Sequence, residues 1–442
     1  MDGRLMPAAT SSSPGADAQF FAHFDGLEAQ DPTVRESRLM AALPQQVAHA
    51  RASTDAFREL LASIDPARIN SRAALATLPV LRKADLAHRQ HAARDQQPPD
   101  PFGGLSAIGW SGLRRSLGAR RVFQSPGPIY EPQGWGRDGW RMARALHAAG
   151  VRSGELVHNS FSYHLTPAGA MMECGAEALG CTVFPGGVGN TELQLQAMVD
   201  LQPQAYVGTP SFLKILVDRA QQQGLSLPLR KALVSGEAFP PSLRDWLIER
   251  GVAAFQCYAT ADLGLIAYET QAREGLVLDE SVIVEIVRPG TGDPVAEGEV
   301  GELVVTTLTS DYPLIRFGTG DLSALLPGRC PSGRTNTRIR GWMGRADQSA
   351  KVRGMFVHAS QVAEVLKRFP EVVRGRLVIE GEMAQDRMTL QVEVDGEGPE
   401  GLPQRLAEAL RDVTKLRGEV VLLPLNGLPN DGKVIEDLRR YE

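Results

Sequence analysis

Apolar residues recur three and four apart from Asp17 to about Arg94: Phe20, Phe24 and Leu27, then Leu39, Ala42 and Val47, then Phe57, Leu60 and Leu61. That period predicts a helical opening segment with one face buried. Its last part, LATLPVLRKADLAHRQ, sets Pro79 between two apolar anchors and predicts a charged helix start at Lys83. A Pro-rich stretch at 96–104 reads as a spacer.

From Trp110 to Glu192 the pattern becomes one of alternating strands and helices. Strands are expected at 122–124, 155–159 and 182–184, and helices at 135–149 and 167–179. The next unit repeats the theme, with helices at 192–200 and 211–223 and strands at 205–208 and 232–235. Such alternation implies right-handed crossovers and a largely parallel sheet. Ligands of such sheets sit beyond the carboxyl ends of the strands, where the polar turns 235–237 and 258–262 are placed.

After Ile283 the texture turns β-rich, with GTGD at 290–293 expected as a hairpin turn. Then comes YPLIRFGTGDL, whose Gly318, Thr319, Gly320 and Asp321 read as a tight turn that brings a carboxylate close to a ligand. A fixed carboxylate suits the two hydroxyls of a ribose, and a solvated surface turn is the alternative for the motif taken alone. Beyond Gly344, strands at 351–353, 375–380, 389–394 and 419–423 mix with helices at 360–369 and 402–414, followed by a terminal loop and helix. The fold class expected is α/β: a large N-terminal domain with mostly parallel sheets flanked by helices, a β-rich subdomain, and a small α+β C-terminal domain. Residues 1–16 are expected to be a frayed tail rather than a secretory signal. Residues 17–345 form the large domain, with the helical segment at 17–94, and 346–442 the small one.

Composition narrows the function classes. The 442 residues are 43% hydrophobic and 22% charged, with a net charge of -5 and both signs interspersed. There is no basic footprint for nucleic acid and no polybasic membrane patch, so a small-molecule partner is expected. The four cysteines, Cys174, Cys181, Cys257 and Cys330, lack CxxC spacing, which points to a reducing, cytoplasmic setting. No apolar run approaches the ~20 residues of a membrane helix.

Four motifs in order resemble the adenylate-forming ligases, and within them the phenylacetate-CoA ligase family: LPVLRKADL; SGEAF with YATAD; PLIRFGTGDL with CPSGRT; and GRADQSAKVRGMFVHASQVAEVL with a late LPNDGK. The resemblance implies ATP-dependent activation of a carboxylic acid as an acyl-adenylate and transfer to CoA, with a small domain that swings between the two half-reactions. On it, Asp321 holds the ribose hydroxyls and Arg345 adds a charge-assisted contact. Asp347 is the domain hinge. Ser235, Gly236, Glu237, Tyr258 and Ala259 frame the adenine, with Tyr258 as a stacking face. Lys433 reaches the reacting carboxylate and α-phosphate. Phe161, Tyr163, His164 and Gly187 line the acyl pocket, which suits an aromatic or short apolar acid. The resemblance leaves a homodimer open, although no stripe reads as a dimer seam.

Three places depart from the family. Relatives carry a run of serine, threonine and glycine at the phosphate loop, whereas this chain has Ser125, Pro126, Gly127, Pro128, Ile129 and Tyr130. Two prolines remove two NH donors and leave Ser125, Gly127 and Tyr130 to hold phosphate. Asp262 stands where the family has its magnesium-binding glutamate, and a carboxylate one methylene shorter still serves an ion often held through water. Some relatives bind zinc, but the matching places here hold Thr270, Val277, Cys330 and Ser332, and one thiol does not make a four-ligand site, so no zinc is expected. The expected cofactors are ATP, magnesium and CoA. Two alternatives stay beside the CoA ligase: adenylation with transfer to a carrier protein or amine, and a degenerate homologue that binds an acyl or nucleotide ligand without turnover.

Overall fold

The computed structural model describes residues 23–97, 99–110, 118–126, 128–346, 349–352, 355–381, 387–396 and 398–438. Of the expected features, the tail at 1–16 and the residues Gly127 and Asp347 lie outside these described residues.

The helical opening segment is present as expected. The long helix Pro32–Ser53 starts where the Asp31 carboxylate accepts the amides of Thr33 and Val34. It buries Leu39, Leu43 and Val47 against Phe57, Leu61 and Leu75. LPVLRKADL then forms a two-residue strand β1, Leu81–Arg82, running into the helix Lys83–Ala93. Strands β2 (Arg121–Ser125) and β3 (Ile129–Gln133) form a tight antiparallel hairpin in which Ser125 pairs with Ile129. The proline-bearing loop is thus the connection between two paired strands.

The central sheet has nine strands, five of them mutually parallel. These are β4 (Leu156–Asn159), β5 (Thr182–Pro185), β6 (Ala205–Gly208), β7 (Lys231–Val234) and β8 (Ala253–Thr260), in the order β5-β4-β6-β7-β8. Beyond β8 the sheet turns antiparallel through β9 (Gly264–Glu269) and β10 (Leu276–Leu278). Helices Ala168–Leu179 and Pro210–Gln222 connect the parallel strands, and Val157, Val207, Leu233 and Phe255 share one core with Met172 and Ala176 of the first.

A second sheet, in the order β1-β13-β12-β11, contains β11 (Val282–Val287), β12 (Gly301–Thr307) and β13 (Phe317–Ser323). Here the expectation of a tight turn at 318–321 is modified: FGTGDLS is a strand that bulges at the motif, its register with β12 shifting between Gly318 and Leu322. It pairs with β12 on one side and with β1 on the other, Leu81 opposite Phe317 and Arg82 opposite Gly318. Gly318 is needed for close packing: a Cβ there would lie 2.6 Å from Glu302 Oε1 and 3.0 Å from Val80 Cγ1.

Two helix expectations also change. The helix expected at 135–149 spans only Met142–Ala148, since the Asp138 carboxylate accepts the Met142 and Ala143 amides and holds the preceding turn outside it. The C-terminal helix is a strand, Ile435–Asp437, which pairs in parallel with Val372–Glu380 and so extends a four-stranded sheet. That sheet and the helices Ala359–Lys367 and Leu402–Thr414 have their own core, built on Val362, Leu377, Leu390, Leu406 and Leu410. Where one strand is expected at 351–353, strands at 349–352 and 355–358 pair antiparallel in a sheet of their own. Among the described residues, no helix is long and apolar enough to cross a membrane.

Candidate active site

The carboxyl ends of the parallel strands β4, β6, β7 and β8 lie along one edge of the central sheet, and the Tyr258–Asp321 hydrogen bond joins that edge to β13 of the second sheet. Asp321 is on β13, where three side chains aim donors at it. The Tyr258 hydroxyl donates to Oδ2 at 2.6 Å, while Trp342 Nε1 at 3.1 Å and Arg345 Nη1 at 3.0 Å donate to Oδ1. Burial, and then the Asp321 charge, hold the Tyr258 phenol well above its usual range, so it stays a donor. Gly320 has φ +71°, and a Cβ there would sit 2.7 Å from Arg345 Nη2. Ala346 N donates to Gly320 O at 2.7 Å, which ties the segment carrying Arg345 to β13. Asp321, Tyr258 and Arg345 are thus gathered at one point. Tyr258 reaches it through its hydroxyl.

Beside this point runs the edge formed by Ser235, Gly236 and Glu237. Ser235 Oγ donates to Cys257 O at 2.8 Å, which holds the end of β7 to β8 next to Tyr258 and Ala259. Gly236 has φ +81°, and its missing Cβ would lie 3.9 Å from Phe161 Cε1. That spacing puts an acyl-pocket candidate near an adenine candidate. Glu237 is exposed and its carboxylate accepts the Ser211 amide at 3.4 Å. Tyr163 packs on Gly169, and its hydroxyl accepts from Asn159 Nδ2 at 2.8 Å. His164 is exposed at the rim. Gly187, with φ +69° and open space where its side chain would be, donates its amide to Asn159 O at 3.0 Å.

At the hairpin end of the cleft lies a polar cluster. Lys83 Nζ is 3.1 Å from Asp262 Oδ2 and 3.4 Å from Ser125 Oγ, and Ser125 Oγ donates to Glu131 Oε1 at 2.5 Å. Asp262 and Glu131 are both buried. Burial, and then the neighbouring Asp262 charge, push the Glu131 carboxyl up to about 8. Tyr130 is fixed by its backbone, its amide donating to Gln90 Oε1 and its carbonyl accepting from Gln90 Nε2, each at 2.8 Å.

Lys433 stands apart from this cluster. Among the described residues its ammonium partner is Glu436, at 3.0 Å. The loop before it rests on the second sheet: Val300 N donates to Asn430 Oδ1 at 3.1 Å, and a Cβ on Gly432 would lie 3.2 Å from Leu322 Cδ1, one residue from Asp321. At the places matched to zinc ligands, Cys330 Sγ is 3.1 Å from Ser332 Oγ and 3.6 Å from Thr270 Oγ1, with Val277 buried in β10.

Residues 142–309 match the family described as AMP-binding enzyme. A phenylacetate-coenzyme A ligase of Thermus thermophilus is 32% identical over 440 residues, covering 90% of this chain and 95% of the relative. The chain belongs to the phenylacetate-coenzyme A ligase family. A second member, from Aromatoleum evansii, is 30% identical and covers 83% of this chain and 81% of its own. Membership makes the chain an adenylate-forming acid:CoA ligase that releases AMP and draws on ATP and CoA. A 2-hydroxyisobutyryl-CoA ligase, solved in the postadenylation state with R3-HIB-AMP, superposes with a TM-score of 0.69 over 98% of this chain and 95% of its own. At 24% identity that likeness is one of fold.

Four residues of this ligase's cleft were not singled out by sequence reasoning: Lys83, Glu131, Tyr312 and Trp342. Lys83 was read only as a helix start, and it reaches the cluster because β1 pairs with β13. Glu131 carried a usable signal, a carboxylate two residues from Ile129 and from Gln133 on one side of a short strand, all three buried. Tyr312, within the YPLIRFGTGDL motif, is buried with no partner for its hydroxyl. Trp342 follows a glycine in a stretch without periodicity and offered no such signal.

Proposed function

We propose that the ligase activates a small, aromatic carboxylic acid as its adenylate with magnesium and ATP and passes the acyl group to CoA, without a zinc ion. The observation that carries the reading is the approach of Phe161 to Gly236, the ring edge 3.9 Å from where a Cβ on Gly236 would lie, which sets an aromatic side chain beside the nucleotide edge. An acid lying on Phe161 would point its carboxylate along the cleft between Asp321 at one end and the Lys83–Asp262 pair at the other. The names of the relatives, phenylacetate-coenzyme A ligases, support the aromatic class.

In this reading Asp321 takes the ribose hydroxyls, with Tyr258 and Arg345 orienting its carboxylate. Ser235 to Glu237 and Ala259 frame the base. Ser125 and the ammonium of Lys83 face the phosphates, and Asp262 takes the magnesium. Lys433 leaves Glu436 and enters the cleft when the unit formed by 346–442 rotates about Asp347, supplying a cation to the charge that develops between the carboxylate and the α-phosphate.

ATP–pyrophosphate exchange against a panel of aryl, arylacetic and short hydroxy acids tests the proposal, with CoA-dependent AMP release as the second arm. Exchange is expected with an aromatic acid in preference to an aliphatic one. Exchange with short aliphatic acids alone would refute the aromatic assignment. AMP release that needs an amine or a carrier protein in place of CoA would refute the acceptor.

A further inference from the structure

The turn Pro126 to Pro128 lacks two of the amide donors with which a phosphate loop neutralises triphosphate charge. The strand that follows carries a buried carboxylate, Glu131, with Asp262 beside it. Glu131 Oε1 is held by Ser125 and Asp262 Oδ2 by Lys83, but Glu131 Oε2 and Asp262 Oδ1 are buried with no hydrogen-bond partner. Glu131 is 3% exposed and Asp262 7%. A third oxygen, the Tyr312 hydroxyl, is likewise buried without a partner, and the charges of both carboxylates bear on it. The two carboxyls lie within hydrogen-bond reach of each other, so their inward oxygens need a proton or a cation between them.

We propose that Glu131 is a second carboxylate ligand beside Asp262 in a seat for a hard divalent cation of the magnesium class. Glu131 Oε2 and Asp262 Oδ1 take two positions of an octahedral ion, which keeps water at the others, and the Tyr312 hydroxyl holds one of those waters. Lys83 occupies part of the seat as a stand-in cation, its ammonium on the far oxygen of Asp262. The assignment explains how a loop poor in donors serves a triphosphate: the charge is met by a cation anchored to the hairpin itself, through a residue of β3. It rests on the ligase reading for the use of the cation, though not for its binding.

Manganese stands in for magnesium in the test, because free Mn2+ is counted directly by its electron paramagnetic resonance signal. The full chain without nucleotide is titrated with Mn2+ as wild type, Glu131→Gln, Asp262→Asn and Lys83→Met. The wild type is expected to bind one ion that Mg2+ displaces, and the first two variants to lose affinity by about tenfold or more. Lys83→Met is expected to bind more tightly, since no ammonium competes for Asp262. A folded Glu131→Gln chain with wild-type affinity overturns the assignment, as does a wild type that binds no Mn2+. Should Glu131→Gln fail to fold, Lys83→Met decides: tighter binding supports the seat and unchanged binding overturns it. Pyrophosphate exchange on the same preparations separates the two proposals. Glu131-dependent Mn2+ binding without exchange for any acid upholds the seat and removes the ligase reading. Exchange with Mn2+ affinity indifferent to Glu131 does the reverse.

Discussion

Arg316 is the strongest test of how the Asp321 strand is held, because it is buried one residue before β13 and is spent entirely on structure. Its side chain is 2% exposed and pairs with Glu285, itself 6% exposed, at 3.0 Å. Its other nitrogens donate to the carbonyls of Ala76, Leu78 and Gly292, so one guanidinium ties the helical opening segment and the β11–β12 connection to the start of β13. Arg316→Met fills similar volume, breaks the ion pair and strands three carbonyls. Removing one partner of a buried pair costs about 3–5 kcal/mol, and the stranded carbonyls add to it. The pH dependence gives the mechanism a signature. Burial raises the Glu285 carboxyl above its usual range, and Arg316 is the chief opposing influence. Without Arg316 the folded-state pKa rises further. A carboxyl whose folded pKa exceeds its unfolded value contributes stability below the unfolded pKa and loses it as pH rises through the folded one. The deficit of Arg316→Met should therefore shrink as pH falls from neutral into the acid range. Denaturant unfolding of both proteins at each pH measures this. A deficit below about 1 kcal/mol would refute the anchoring role, given the size expected of a broken buried pair. A deficit of constant size across the range would refute the stranded-carboxyl account.

Two further outcomes concern the cleft. Tyr258→Phe removes one hydrogen bond to a charged carboxylate, worth about 1.5–3 kcal/mol, so ATP affinity should fall by about tenfold to a hundredfold while the fold is kept. Calorimetric titration with ATP checks it, and unchanged affinity would place the ribose elsewhere. Lys433→Ala should abolish pyrophosphate exchange and leave thiolysis of a supplied acyl-adenylate by CoA largely intact; equal loss in both half-reactions would contradict a role confined to adenylation.

Much of the architecture was legible because it depends on period and residue type. The helical spacing of Leu39, Leu43 and Val47 and the strand–helix alternation through Val157 and Val207 are local patterns that burial selects. Mistakes arose where a side chain or a partner strand outvoted local chemistry. Gly318, Thr319 and Gly320 look like a turn, yet Gly318 pairs with strands on both sides, Thr319 and Gly320 form a bulge within the strand, and the glycines serve the close approach of Glu302 and Arg345. Asp138 caps its helix later than the apolar pattern suggests, and the final segment becomes a strand because β-pairing with Val372–Glu380 was open to it.

Taken alone, the sequence determined the order of elements, the kind of sheet and the chemical types at Asp321, Arg345, Asp262 and Lys433. These follow from short-range period, glycine placement and motif order. Only the tertiary structure decided which of those groups meet. Lys83 contacts Ser125 across 42 residues and Asp262 across 179, and Trp342 reaches Asp321 from 21 residues away. Each of these meetings depends on strand pairing between distant segments, and one step in register would turn Glu131 from the buried carboxyl cluster to the opposite face of its hairpin.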